Sequence, residues 1–122
     1  MSLTKGLKAE GEIKQYTIVQ YGTNDNQAKT ATAKTQQSIG VVGQKGGDEG
    51  DHVDVVQLGE EFVKVGAAVT AGDKFVANAS GHAVPFTVGT GETVHYVGII
   101  NQTCTEVGGV VRCTVCPGVA AK

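Results

Sequence analysis

Residues 61–86 read EFVKVGAAVTAGDKFVANASGHAVPF, from Glu61 to Phe86. Short apolar pieces alternate with breaks. The apolar pieces are Phe62-Val63, Val65, Val69, Phe75-Val76 and Ala83-Val84. The breaks are Gly66, then Ala71-Gly72-Asp73, then Asn78-Ala79-Ser80-Gly81. Each break carries a glycine, often beside Asp, Asn or Ser, the residue types that tolerate tight or left-handed backbone. The spacing predicts very short strands separated by turns.

The flanks read the same way. Gln15–Tyr21 is a strand, with Tyr16, Ile18 and Gln20 on one face and Thr17, Val19 and Tyr21 on the other. Gly22–Asn26 is a turn cluster. Ala28–Thr35 holds three threonines and reads as an exposed strand rather than a helix. Ser38–Gln44 is a buried, glycine-interrupted strand, and Lys45–Asp51 is a loop. Asp51–Leu58 alternates, and Gly59-Glu60-Glu61 reads as a turn. Thr87–Glu92 is a loop, and Thr93–Asn101 is the most strand-like run of the chain. Thr103–Cys116 reads as a hairpin folded about Gly108-Gly109 and ended by Pro117-Gly118. The expected fold is all-β: one compact β-sandwich or β-barrel-like domain over residues 15–122, preceded by a flexible N-terminal arm over residues 1–14. That arm is polar, and Leu3, Leu7 and Ile13 are its only apolar anchors. It is either frayed or ordered on a partner by strand addition.

Composition narrows the function. A chain of 122 residues is one domain. Eighteen glycines and no tryptophan describe many turns and small side chains. The net charge of −2 gives no bulk attraction to nucleic acid or to an anionic membrane. No apolar run approaches the ~20 residues of a membrane span. The first residues lack the apolar segment of a secretory signal, so synthesis in a reducing cytoplasm is expected. Charge is uneven: residues 1–45 hold six lysines against Glu10, Glu12 and Asp25, and residues 46–73 hold seven acids against Lys64. This is either a set of solvated loops or a polar molecule whose ends meet complementary neighbours.

No catalytic set assembles. There is no G-x-S-x-G, and the glycine pairs lack phosphate-loop context. The acidic stretch Asp48–Asp54 with His52 lacks the spacing of a calcium loop. Cys113-Thr114-Val115-Cys116 is a CxxC without a second pair, and on a strand its two cysteines point to opposite faces. Neither an enzyme, a metal nor a cofactor is expected. If Gly108-Gly109 are the central residues of a two-residue turn, Cys104 stands opposite Cys113 as a non-hydrogen-bonded pair, close enough for contact or a strained bridge.

Val63–Val76 matches V-x-x-G-x-x-V-T-A-G-D-x-F-V, and Gly81-His82-Ala83-Val84 matches G-x-A-V. With Ile39-Gly40-Val41, these features make the chain resemble the capsid cement, or head decoration, proteins of tailed phages. It departs from them at the end, where a cysteine-bearing segment replaces one valine-rich closing strand. The resemblance implies a structural virion protein, made in the host cytoplasm and placed on the outer surface of the capsid. Its partner there is the major capsid protein, and it acts as a homo-oligomer, a trimer being favoured, that stabilises the shell. Nucleic acid and membrane are not partners. Leu3, Lys5, Leu7, Lys8 and Ile13 of the arm are the expected partner-binding residues. The alternative is a β-sandwich binding module for a carbohydrate or receptor, with the 48–54 loop as its only candidate site.

Overall fold

The computed structural model describes residues 3–33 and 37–121. They form nine strands: β1 Leu3–Ala9, β2 Thr17–Tyr21, β3 Gln27–Thr30, β4 Ser38–Val42, β5 His52–Lys64, β6 Lys74–Ala77, β7 Ala83–Pro85, β8 Thr93–Ile100 and β9 Val110–Ala121. No helix occurs among the described residues. The all-β expectation holds.

The first five strands close a barrel. Their order is β1-β3-β2-β4-β5, and β1 also pairs with β5. The remaining strands continue from β5 in the order β9-β8-β6-β7. Just past β5, Val65 makes a parallel bridge to Ala83 of β7, so this second set curls back toward β5. The 13-residue β5 therefore serves both halves: residues 52–58 pair with β1 and residues 59–64 with β9. Gly59-Glu60-Glu61 was expected to be a turn. Instead Gly59 takes φ +118 inside the strand, and a register shift against Leu3-Thr4 marks a bulge nearby. Bulge and glycine bend β5 from one half into the other without ending it.

Two apolar clusters follow from this shared strand. Leu7, Ala9, Ile13, Val19, Ala28, Ile39, Val42, Val53 and Val55 fill the barrel. Ile18, Val41 and Val56 belong to the second cluster, with Val63, Val65, Phe75, Val97, Ile100, Val111, Cys113 and Val115. At Ile18-Val19, Val41-Val42 and Val55-Val56, strands β2, β4 and β5 bury both faces, and β4, between the other two, is buried along all five of its residues. A Cβ on Gly40 would lie 2.1 Å from the Val56 carbonyl oxygen, so only glycine lets these strands approach so closely. Phe75, the largest fully buried side chain, contributes roughly 2–3 kcal/mol by removal from water.

Two expectations change. Residues 1–14 were expected to form an arm. Met1 and Ser2 lie outside the described residues, and residues 3–9 are β1, a barrel strand. Leu7, Ala9 and Ile13 are buried at 3% exposure or less. The alternation of the exposed Lys8 with the buried Leu7 and Ala9 is that of a half-buried strand, and the surrounding lysines masked it. The hairpin about Gly108-Gly109 does not form either. Gly108 N–H donates to the Val65 carbonyl (2.8 Å), and Val65 N–H to the Gly109 carbonyl (2.9 Å). β9 then pairs with β5 and β8 rather than with residues 103–107. It also runs through Pro117-Gly118 to Ala121. Beyond Val115 it has no β5 partner, and the register against β8 shifts between Tyr96 and Gly98, so the missing proline N–H costs no ladder bond.

Candidate functional site

A cleft of about 730 Å³ opens where the barrel meets the second half. Segment 12–17 forms one side, and the loop carrying Gln44, Gly46, Gly47, Asp48 and Asp51 faces it; Lys64, His82, Gly108 and Val110 complete the lining. Local chemistry fixes each wall. Ile13 and Gly47 exchange both backbone hydrogen bonds, at 2.8 and 2.9 Å. Gly46 lies so close to the Ile13 carbonyl that a Cβ would stand 2.2 Å from it. Asp51 N–H donates to the Asp48 carbonyl, and Asp48 N–H donates to Asp51 Oδ2 at 2.9 Å, which closes the acidic turn on itself. The Tyr16 carbonyl accepts from Lys64 N–H at 2.9 Å, which ties segment 12–17 to the end of β5.

His82 is held by an Asx-type turn. Asn78 Oδ1 accepts from Ser80 N–H (2.9 Å) and His82 N–H (3.0 Å), and the Gly81 carbonyl accepts from Ile18 N–H (2.9 Å). Gly81, at φ +77, packs against Thr17 and Thr30 with no room for a side chain. The imidazole pKa is pushed below 6.5, first by burial and then by the positive charges of Lys64 and Lys14. Lys14, Lys64 and His82 all line this cleft. Tyr16, which also lines it, is the one non-glycine residue with positive φ among those described, at +59°.

A second feature is an exposed apolar surface. Leu3 on β1 stands directly opposite Leu58 on β5, and both are more than half exposed, at 56% and 52%. Further along β5, Phe62 is exposed and meets Tyr16 edge-on at 6.1 Å between ring centres.

Of the residues expected to bind a partner, Leu3, Lys5 and Lys8 are on the surface, whereas Leu7 and Ile13 lie in the barrel core. Lys5 Nζ donates to the Tyr21 hydroxyl at 3.1 Å. Cys104 bridges Val69, and Cys113 has Glu61 and Ile100 as strand neighbours, so the two do not face each other across a hairpin. All three cysteines are free thiols. Burial, then the charge of Glu61, pushes the Cys113 thiol up to about 12. His52 and Asp54 share a face as expected, at 3.1 Å and well exposed. Among the described residues, no group of three or more His, Cys, Asp and Glu side chains comes together as a metal site.

The sequence reading missed the cleft. Lys14, Lys64 and His82 are separated by 50 and 18 positions, and no local spacing links them. Gly46-Gly47 was a usable signal, since paired glycines beside an acidic turn mark a loop pressed against other backbone.

No protein-family model and no curated protein matches the sequence. Among solved structures, the chain is similar to the head fiber gp8.5 N base of bacteriophage phi29. The TM-score is 0.69 at 22% identity, over 95% of each chain. This chain has the fold of a phage head-fiber base.

Proposed function

We propose that this chain is a structural virion protein that docks on the outer surface of an assembled phage capsid, against the major capsid protein, and stabilises the shell. The observation that carries the reading is the match in fold over 95% of both chains to a phage head-fiber base. The head-decoration motifs of residues 63–84 point the same way. The surface supports it: Leu3, Leu58 and Phe62 present apolar area that a water-exposed strand face does not need. In this reading the protein acts as a homotrimer, and avidity from several modest contacts holds it on symmetric shell positions. It has no catalytic role. Co-sedimentation with phage heads tests binding. Sedimentation equilibrium of the free chain tests the trimer, and a monomer at all concentrations removes it.

A further inference from the structure

Past its bulge, β5 turns Leu58, Glu60 and Phe62 outward, because Val63 of the same strand points into the core. The register carries this outer face onto the two neighbouring strands. Leu3 of β1 stands opposite Leu58, Arg112 of β9 opposite Phe62, and Val110 of β9 opposite Lys64. Leu3, Leu58, Phe62 and Val110 are all exposed. They sit on three adjacent strands, so they form one apolar face rather than scattered side chains. Tyr16 braces Phe62 edge-on. Two exposed charges of opposite sign, Glu60 and Arg112, flank Phe62. Glu60 stands opposite Thr114, which makes it the diagonal neighbour of Arg112 in the ladder. Yet among the described residues neither of the two makes an ion pair. A partner surface of one sign would leave one of them unanswered. A second copy of this chain answers both, its Glu60 meeting Arg112 and its Arg112 meeting Glu60 around a shared apolar centre. Opposite charges on two flanks also suit a head-to-tail contact, in which each copy gives one pair and takes one, and such contacts close into rings.

We propose that this face joins copies of the chain: Leu58, Phe62 and Val110 of neighbouring copies pack together, and the Arg112 guanidinium of one copy pairs with the Glu60 carboxylate of the next. Aromatic and arginine side chains are enriched at such contacts. The homotrimer belongs to the reading above, and the inference rests on it. What it adds is the face that closes the ring, which leaves the remaining surface for the shell.

Charge exchange, read by sedimentation equilibrium of the whole chain, tests the contact. The wild type is expected to be a trimer. Glu60→Arg and Arg112→Glu each set like charges face to face and are expected to weaken association by about tenfold or more. The double variant Glu60→Arg/Arg112→Glu restores opposite charges at every contact and is expected to associate like the wild type. Phe62→Ser, at a position already exposed, is expected to give a monomer that keeps the β-sheet circular dichroism of the wild type. Single charge variants that associate like the wild type, a double variant that associates no better than they do, or a Phe62→Ser chain that stays trimeric overturns the inference. Co-sedimentation with phage heads separates the two claims. If the single variants stay trimeric and lose head binding, the face meets the shell, so the inference falls and the capsid reading stands. If charge exchange behaves as expected and the wild type does not pellet with heads, the capsid reading falls and the inference stands. A wild type that is monomeric at all concentrations removes the trimer and this face as its contact.

Discussion

Leu7 on β1 pairs in register with Val53 on β5, and both side chains are buried in the same barrel core. The N-terminal segment is therefore part of the fold. Leu7→Ala is expected to lower stability by about 2–5 kcal/mol, as a lost core side chain does. Removing residues 3–9 opens the barrel between β3 and β5 and is expected to abolish cooperative unfolding. Urea unfolding followed by circular dichroism checks both, and a truncated chain that unfolds like the full one contradicts the barrel closure.

Gly98 on β8 lies against the backbone of β9, where a Cβ would stand 2.1 Å from the Thr114 carbonyl oxygen. Gly40 has the same relation to Val56. In neither case is the obstacle the end of a flexible side chain. Gly98→Ala and Gly40→Ala are each expected to cost about 1–3 kcal/mol or more through forced strand separation. Gly91→Ala offers a contrast: its new methyl group meets nothing, and only the positive φ is strained. Thermal melts of the three variants rank them, and equal melting of all three contradicts the close approach.

How much of this was legible follows from range. The local β pattern was plain: the Val, Thr and Gly alternation placed β2, β4, β6, β7 and β8 within a few residues. What failed was pairing. Gly59 looked like part of a turn and Gly108-Gly109 like the centre of a hairpin, since glycine pairs mark hairpins. The first bends a continuous strand, and the second bonds to Val65. Leu7 and Ile13 looked isolated because their partners, Val53 and Gly47, lie more than thirty residues away. The cleft assembles from such distant pieces, so no spacing announced it.

His82 ties stability to pH. Its folded pKa lies below 6.5 while the unfolded value is near it, so the unfolded chain takes up the proton first. This contribution is present above about 6.5 and is lost as pH falls through the folded pKa. The imidazole resonance is expected to titrate below 6.5, and Lys64→Ala is expected to raise the midpoint. A midpoint unmoved by that change contradicts the convergence of the two side chains.

Cys113 acts in the opposite direction. Its thiol is held up to about 12, so the folded chain keeps a proton that the unfolded chain releases near 9. This contribution is intact below about 9 and is lost as pH rises toward 12. In native protein at mildly alkaline pH, Cys104 and Cys116 are expected to react with a thiol reagent well before Cys113. Mass spectrometry of partly labelled protein identifies the order. Early labelling of Cys113 contradicts its burial.

The account rests on capsid binding, and direct mixing tests it. Purified chain is combined with phage heads that lack it, and the heads are sedimented. The account predicts that the chain pellets with the heads at a saturating, fixed ratio and raises the temperature at which the heads come apart. A chain that stays in the supernatant at both low and moderate salt, with head disruption unchanged, contradicts it.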